Sequence, residues 1–343
     1  MTGSMSVPEP EALRSRVTRL RQHQWTPIQR ATLIGVLSIV IGSLFVATVQ
    51  LALGDPVPHR INAALIGDRS ANARTVGAVE RVAGGKLAFR SYESVAAALH
   101  AIDEQRVYAA LDLTSSRPTL YVASAAGTSV AHVLERIYAI DPSARVVDTR
   151  PAASDDPNGL DIFYLMLVAT IIGFFTVFTV RAMAGNLKLR DHISFVLILA
   201  GMGALVLTSV DGPLLNRPDG LYPEECGILA LHLLAVASFA SLMAVLMGRW
   251  AMVPTWLFFV ILGNASSGGA VSPPLLPQPF AFLSQWLPSG ATVTALRNAI
   301  YFRDYQHARP IVVLGAWAIG LFVAWLAVSQ RRLRAAAPAA AQG

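Results

Sequence analysis

Residues 31–53 read ATLIGVLSIVIGSLFVATVQLAL, a run without one ionisable side chain. A helix needs about 20 mostly apolar residues to cross roughly 30 Å of hydrocarbon, and this run is long enough. Four more such stretches follow, at residues 160–180 (with Asp161 at the edge), 193–210, 227–247 and 311–329. Residues 250–262 are shorter, but GNASSGGA at 263–270 can extend them. The reading is a multi-pass α-helical membrane protein of six spans with a broken fifth. The first run exceeds the roughly 7–15-residue apolar core of a secretory signal, and no clear A-x-A site follows, so it reads as an uncleaved anchor.

Composition agrees. Apolar residues make up 54% of the 343 and charged residues 14%, against about 25% charged in ordinary soluble domains. That balance excludes disorder and argues against a single soluble globule. The lone cysteine, Cys226, excludes an intramolecular disulfide framework and a Cys-based zinc site. No GxxxxGK[ST] run occurs, so the chain carries no P-loop of its own.

Orientation follows from Lys and Arg near the span ends. Arg14, Arg16, Arg19, Arg21 and Arg30 precede span one. Arg181, Lys188 and Arg190 join spans two and three, Arg249 joins four and five, and Arg331, Arg332 and Arg334 follow span six. The acids on that side are Glu9, Glu11 and Asp191. This side reads as cytoplasmic, with both termini inside a bacterial cell membrane. The net charge of +6 then reflects topology. No clustered basic and aromatic patch points to nucleic acid.

Residues 54–159 hold 11 basic and 12 acidic residues, and positive-inside logic places this nearly neutral insert outside. Strands are expected at 61–66, 87–90, 107–113, 119–123 and 146–147. Helices are expected at 71–83, at 93–102 with Ser91 placed for capping, and at 128–140. Strands alternating with helices give a small layered α/β or α+β unit, joined to span two by PAASDDPN at 151–158. His100 and His132 lack metal spacing, and Ser115 and Ser116 lack a GxSxG context. The insert reads as a binding module. The division is therefore 1–30 (cytoplasmic segment with an amphipathic helix over 10–24), 31–53 (first span), 54–159 (insert), 160–329 (five-helix membrane domain) and 330–343 (cytoplasmic tail).

The last third contains GNASSGGAVSPPLLPQPFAFLSQWLPSGATVTALRNAIYF, residues 263–302. Gly268-Gly269 and then Pro273, Pro274, Pro277 and Pro279 interrupt regular helix. Ser289 can cap a helix over 290–302 with Val293, Leu296 and Ile300 on one face. A helix that short cannot span; it lies at the outer leaflet or dips into it, and Arg297 on it snorkels. The layout resembles the membrane subunits of type-2 ABC exporters. It is closest to the phage infection protein (Pip/YhgE-like) branch in high-GC bacteria, through KLAFRSYESVAAALHAIDEQRVYAALDL, TLYVASAAGTSVAHVL and the 263–302 motif. The resemblance implies a permease that pairs with itself or with a second permease. It also implies a separate ATPase subunit, reached through the segment 10–24 and the loop 181–191, and it leaves the energy supply open.

His232 stands alone within span four and is a functional candidate because burying an ionisable group in hydrocarbon is costly. A neutral histidine hydrogen-bonded between helices is the plainer explanation. Asn264, Ser266 and Ser267 can line a pathway where the fifth span loosens, or simply end a helix. Asp211 crowds the outer end of span three with Glu224 and Glu225, where a solvated loop explains it equally. Small residues four apart (Ser38/Gly42, Ala200/Ala204, Ala316/Gly320) permit close helix packing. No paired catalytic carboxylates, metal motif or cofactor motif is evident, so the chain reads as a non-enzyme. The leading expectation is an exporter-type permease for an amphipathic or envelope-related molecule. The other is a non-transporting scaffold or receptor whose insert binds an envelope partner.

Overall fold

The computed structural model describes residues 26–54, 58–115, 117–138, 145–185, 187–214 and 223–340. The amphipathic helix expected over 10–24 lies outside them. The chain divides into two compact units, Met1–Val46 and Ala47–Gly343. Helix α1 (Pro27–Leu53) is apolar all round, and most of its side chains are exposed.

The α/β lobe comes next. Its elements are β1 (Ile61–Ile66), α2 (Ala73–Val82), β2 (Leu87–Tyr92), α3 (Val95–Asp103), β3 (Ala109–Asp112), β4 (Thr119–Val122), α4 (Thr128–Tyr138) and β5 (Arg145–Asp148). The sheet order is β2-β1-β3-β4-β5. β1 runs parallel to β2 and β3, β3 antiparallel to β4, and β4 parallel to β5. β1 and β3 are central, and their apolar runs feed both faces, as in strands covered on both sides. Ile61, Leu65 and Leu111 pack with Val76 of α2 and Val130 and Leu134 of α4. Ala64, Ile66 and Ala110 pack with Ala98 and Ile102 of α3 on the other face. Ser91 belongs to β2, not to the cap of α3; Ser94 Oγ caps that helix by accepting from Ala97 N at 3.1 Å.

Four long helices form the bundle: α5 (Asp161–Met183), α6 (Leu189–Leu214), α7 (Pro223–Met247) and α11 (Ala308–Ala340). Between α7 and α11 lie α8 (Met252–Thr255), continued as a π-helix over Trp256–Gly263, then α9 (Gln278–Leu283) and α10 (Pro288–Tyr301). α7 is the central post, touching α5, α6, α10 and α11. Its buried Ala235, Ala237, Ala240 and Ala244 let neighbours approach closely. Gly173 of α5 shows how closely: a Cβ there would stand 2.8 Å from Val236. Ala200 and Ala204 are buried against the same core. A Cβ added at Gly42 or Gly320 would meet nothing within 4 Å among the described residues.

Among the described residues, five helices, α1 included, are long and apolar enough to cross a membrane, and the protein is a helical, membrane-embedded one. The expected fifth of six spans falls short, because the apolar helix there covers only Met252–Gly263. The chain nevertheless returns along the bundle at this point. Gln306 Nε2 donates to Glu224 Oε2 at 2.7 Å, and Arg332 Nη2 to Leu246 O at 3.4 Å. Helices α7 and α11 therefore run in the same direction, and residues 248–307 must connect opposite ends.

The lobe is seated on one end of the bundle by apolar plugs and backbone hydrogen bonds. Leu275 joins the core on one face of the sheet, and Phe302 the core on the other. His59 N donates to Pro274 O at 2.9 Å, and Ser272 N to Ser129 Oγ at 3.0 Å. A Cβ on Gly127 would overlap Ser272 Oγ, so only glycine permits this approach. Between those two attachments, α9 and α10 dip into the bundle. The carbonyl of Trp286 at the hairpin tip accepts from Trp317 Nε1 at 2.7 Å. From Ala308 to Trp317 the helix rises about 14 Å. α10 is thus an inserted helix, buried over most of its circumference, and not one lying on the surface.

Candidate functional site

The inserted α10 brings polar side chains to the bundle core. The sequence explains its start: Leu287 is the N-cap and Pro288 takes the first helical position, where a missing N–H costs nothing. Ser289, expected as the cap, is instead buried within the helix. It faces the π-helix, where a Cβ on Gly263 would stand 2.6 Å from its Oγ. One turn on, Thr292 Oγ1 lies 2.8 Å from Nδ1 of His232 on α7. The other ring nitrogen, Nε2, lies 2.8 Å from Thr170 Oγ1 on α5. His232 is fully buried, and its ring meets Phe259 of the π-helix edge-on at 6.3 Å. Phe259 and Phe258 continue the wall to Phe239, with Phe258 stacked on Phe239 at 5.1 Å.

The hydrogen inventory of this triad has a consequence. Each threonine hydroxyl also lies within reach of its own i−4 carbonyl, Thr170 of Met166 O (2.9 Å) and Thr292 of Pro288 O (2.8 Å). A neutral imidazole donates to one threonine and accepts from the other. A doubly protonated ring donates to both, and both hydroxyls then donate to their carbonyls. The same heavy-atom positions fit either hydrogen arrangement.

The other sequence candidates divide. Asn264, Ser266 and Ser267 are all buried where the π-helix ends. Ser267 Oγ donates to Asn264 O at 3.0 Å and accepts from Gly269 N at 3.2 Å. Among the described residues, Asn264 Oδ1 and Ser266 Oγ have no hydrogen-bond partner; nor do Ser238 Oγ, Ser289 Oγ and either amide atom of Asn298. Asp211 lies near the C-terminal end of α6 and is only half-buried. Thr170, Thr292 and Asn298 are not singled out by sequence, and Ser289 only as a cap. Their signal is a polar residue inside an apolar helical stretch, which an isolated threonine or serine carries weakly because it can bond its own helix.

A second feature lies where lobe, hairpin and α11 meet. A cavity of about 360 Å³ opens there. Its wall includes Gln105 and Tyr108 of the lobe, Ser284 and Arg297 of the hairpin, and His307 and Arg309 at the start of α11. Arg297 does not snorkel: it is buried, and its Nη2 donates to Gly268 O at 3.2 Å. Arg309 lies over the Trp286 ring at 5.0 Å. His307 Nε2 donates to Glu104 O at 3.1 Å. Burial pushes the Tyr108 phenol above its ordinary range, so it stays a neutral O–H donor at physiological pH. No family model, no curated protein and no solved structure matches the chain.

Proposed function

We propose that the protein is an exporter-type permease that moves an amphipathic or envelope-related molecule across the cytoplasmic membrane. In this reading the chain crosses six times, its lobe faces outward and both termini lie inside. The fifth crossing is a short helix completed by irregular backbone. Such backbone is tolerated at membrane depth only when protein covers it or water lines it, and burial of Asn264, Ser266 and Ser267 supports that. A separate ATPase subunit and pairing with a second permease belong to the same proposal.

The single observation that carries it is the set of polar side chains buried in the bundle core, His232, Asn264, Ser266 and Ser267 among them, here called the polar seam. A bundle whose only task is to anchor a lobe gains nothing from a buried histidine and several unpartnered hydroxyl and amide groups, each costing about 1–3 kcal/mol. A path for the polar part of an amphiphile accounts for them. The test is a gene deletion scored by envelope lipid profile and efflux of amphipathic dyes. The expected result is retention of the exported species inside and its restoration by the wild-type gene. An unchanged profile and unchanged efflux, with an envelope protein co-purifying with the full chain, would replace this reading with the scaffold one.

A further inference from the structure

We infer that the cavity between lobe, hairpin and α11 is a binding site for a phosphate-bearing anionic group. The inference uses the membrane placement proposed above but does not depend on transport.

Charge comes first. Among the described residues, the wall of the cavity holds two arginines, Arg297 and Arg309, and no carboxylate. The acids nearby are engaged elsewhere or sit beyond the wall. Glu104 pairs with Arg106 and His100, and Asp161 at the start of α5 reaches Arg297 through its field. Arginine presents five donors in a planar fork that matches phosphate oxygens.

Both guanidinium groups are held in place. Arg297 is tied to Gly268 O, and Arg309 stacks on Trp286. Binding therefore loses little side-chain freedom. Neutral polar residues complete the wall. Tyr108, Ser284 and Thr294 line it, the last two with their hydroxyls donating to Ala281 O and Gly290 O. Gln105 adds an amide whose Nε2 is buried without a hydrogen-bond partner. Its backbone sits at φ +54° because it ends α3, with Gln105 N donating to Ile102 O at 2.8 Å and Arg106 N to Ala101 O at 2.9 Å. The helix end thus fixes an unused side-chain donor at the basic cavity.

Size and position fit an amphiphile. A volume of about 360 Å³ falls in the range of small-ligand pockets, roughly 300–1,000 Å³. It accommodates a headgroup, not acyl chains. Trp286, half-exposed, carries the Arg309 guanidinium over its ring, so this cation is set beside an apolar surface.

The experiment is native mass spectrometry of the full chain in mild detergent. Phosphatidylglycerol and phosphatidylcholine of equal chain length are the probes, with inorganic phosphate as competitor. Phosphatidylglycerol is expected to be retained at least about tenfold better, the value of one charge-assisted hydrogen bond. Arg309→Gln, at an exposed position, should reduce that retention about tenfold. Gln105→Gly removes the amide while relieving the backbone, so it should keep the fold and reduce retention about fivefold. Competition by inorganic phosphate identifies a site for phosphate itself, whereas retention without competition identifies a lipid headgroup. Equal retention of both lipids without phosphate competition, or a preference that survives both substitutions, overturns the assignment.

Discussion

Gly290→Ala is expected to leave little folded protein. Gly290 lies in the first turn of α10, against the backbone of the hairpin tip. A Cβ there would overlap the Ser284 carbonyl oxygen, with the carbonyl carbon and Cα of the same residue 2.7 and 2.8 Å away. All three are main-chain atoms of a short turn, so no rotamer change can relieve the contact. Overpacking a core costs about 1–3 kcal/mol when side chains can adjust, and about 3 kcal/mol or more is expected here. The hairpin would be driven off Trp317, and with it Thr292 off His232. Gly315→Ala in α11 is the matched control. Nothing lies within 4 Å of its added Cβ, so it should be neutral or stabilising by up to about 1 kcal/mol. Thermal unfolding in detergent, read by tryptophan emission, separates the two variants.

His232→Leu is expected to do the reverse: keep the fold and lose export. Leucine restores most of the volume. Thr170 and Thr292 still donate to Met166 and Pro288 carbonyls, so no donor is stranded. The stability change should stay within about 1.5 kcal/mol. His232→Ala opens a void in a fully buried site and should cost about 2–5 kcal/mol. In the deletion strain, His232→Leu should lower export roughly tenfold or more, since the polar centre of the seam is gone. Wild-type export by folded His232→Leu would show that the histidine only packs.

Much of the fold is visible in the sequence because its solvents are legible. Long runs such as residues 193–210 answer to hydrocarbon, and the alternation of INAALI and ESVAAALHAI answers to a covered sheet. What escapes the sequence is where α10 goes. Its composition, with Ser289, Thr292, Thr294, Arg297 and Asn298, reads as a helix half in water. Tertiary contacts with α7, α11 and the lobe bury it instead. The π-helix at Trp256–Gly263 is equally hidden, since WLFFVILG carries no period that distinguishes i→i+5 from i→i+4 bonding. His232 could be found from sequence because an imidazole inside an apolar run is conspicuous. Its two threonine partners come from helices far apart in the chain, and the basic cavity depends on Phe302 and Leu275 seating the lobe above the hairpin.

Export as proposed requires that the bundle sits in lipid with the lobe on the outer side. Single-cysteine labelling in intact cells tests this directly, in a Cys226→Ser background. Arg90→Cys lies exposed on the lobe's edge strand, and Arg334→Cys is exposed beyond the far end of the bundle. A membrane-impermeant maleimide should modify position 90 in intact cells and position 334 only after permeabilisation. Protection of position 90 together with labelling of position 334 in intact cells would contradict the account.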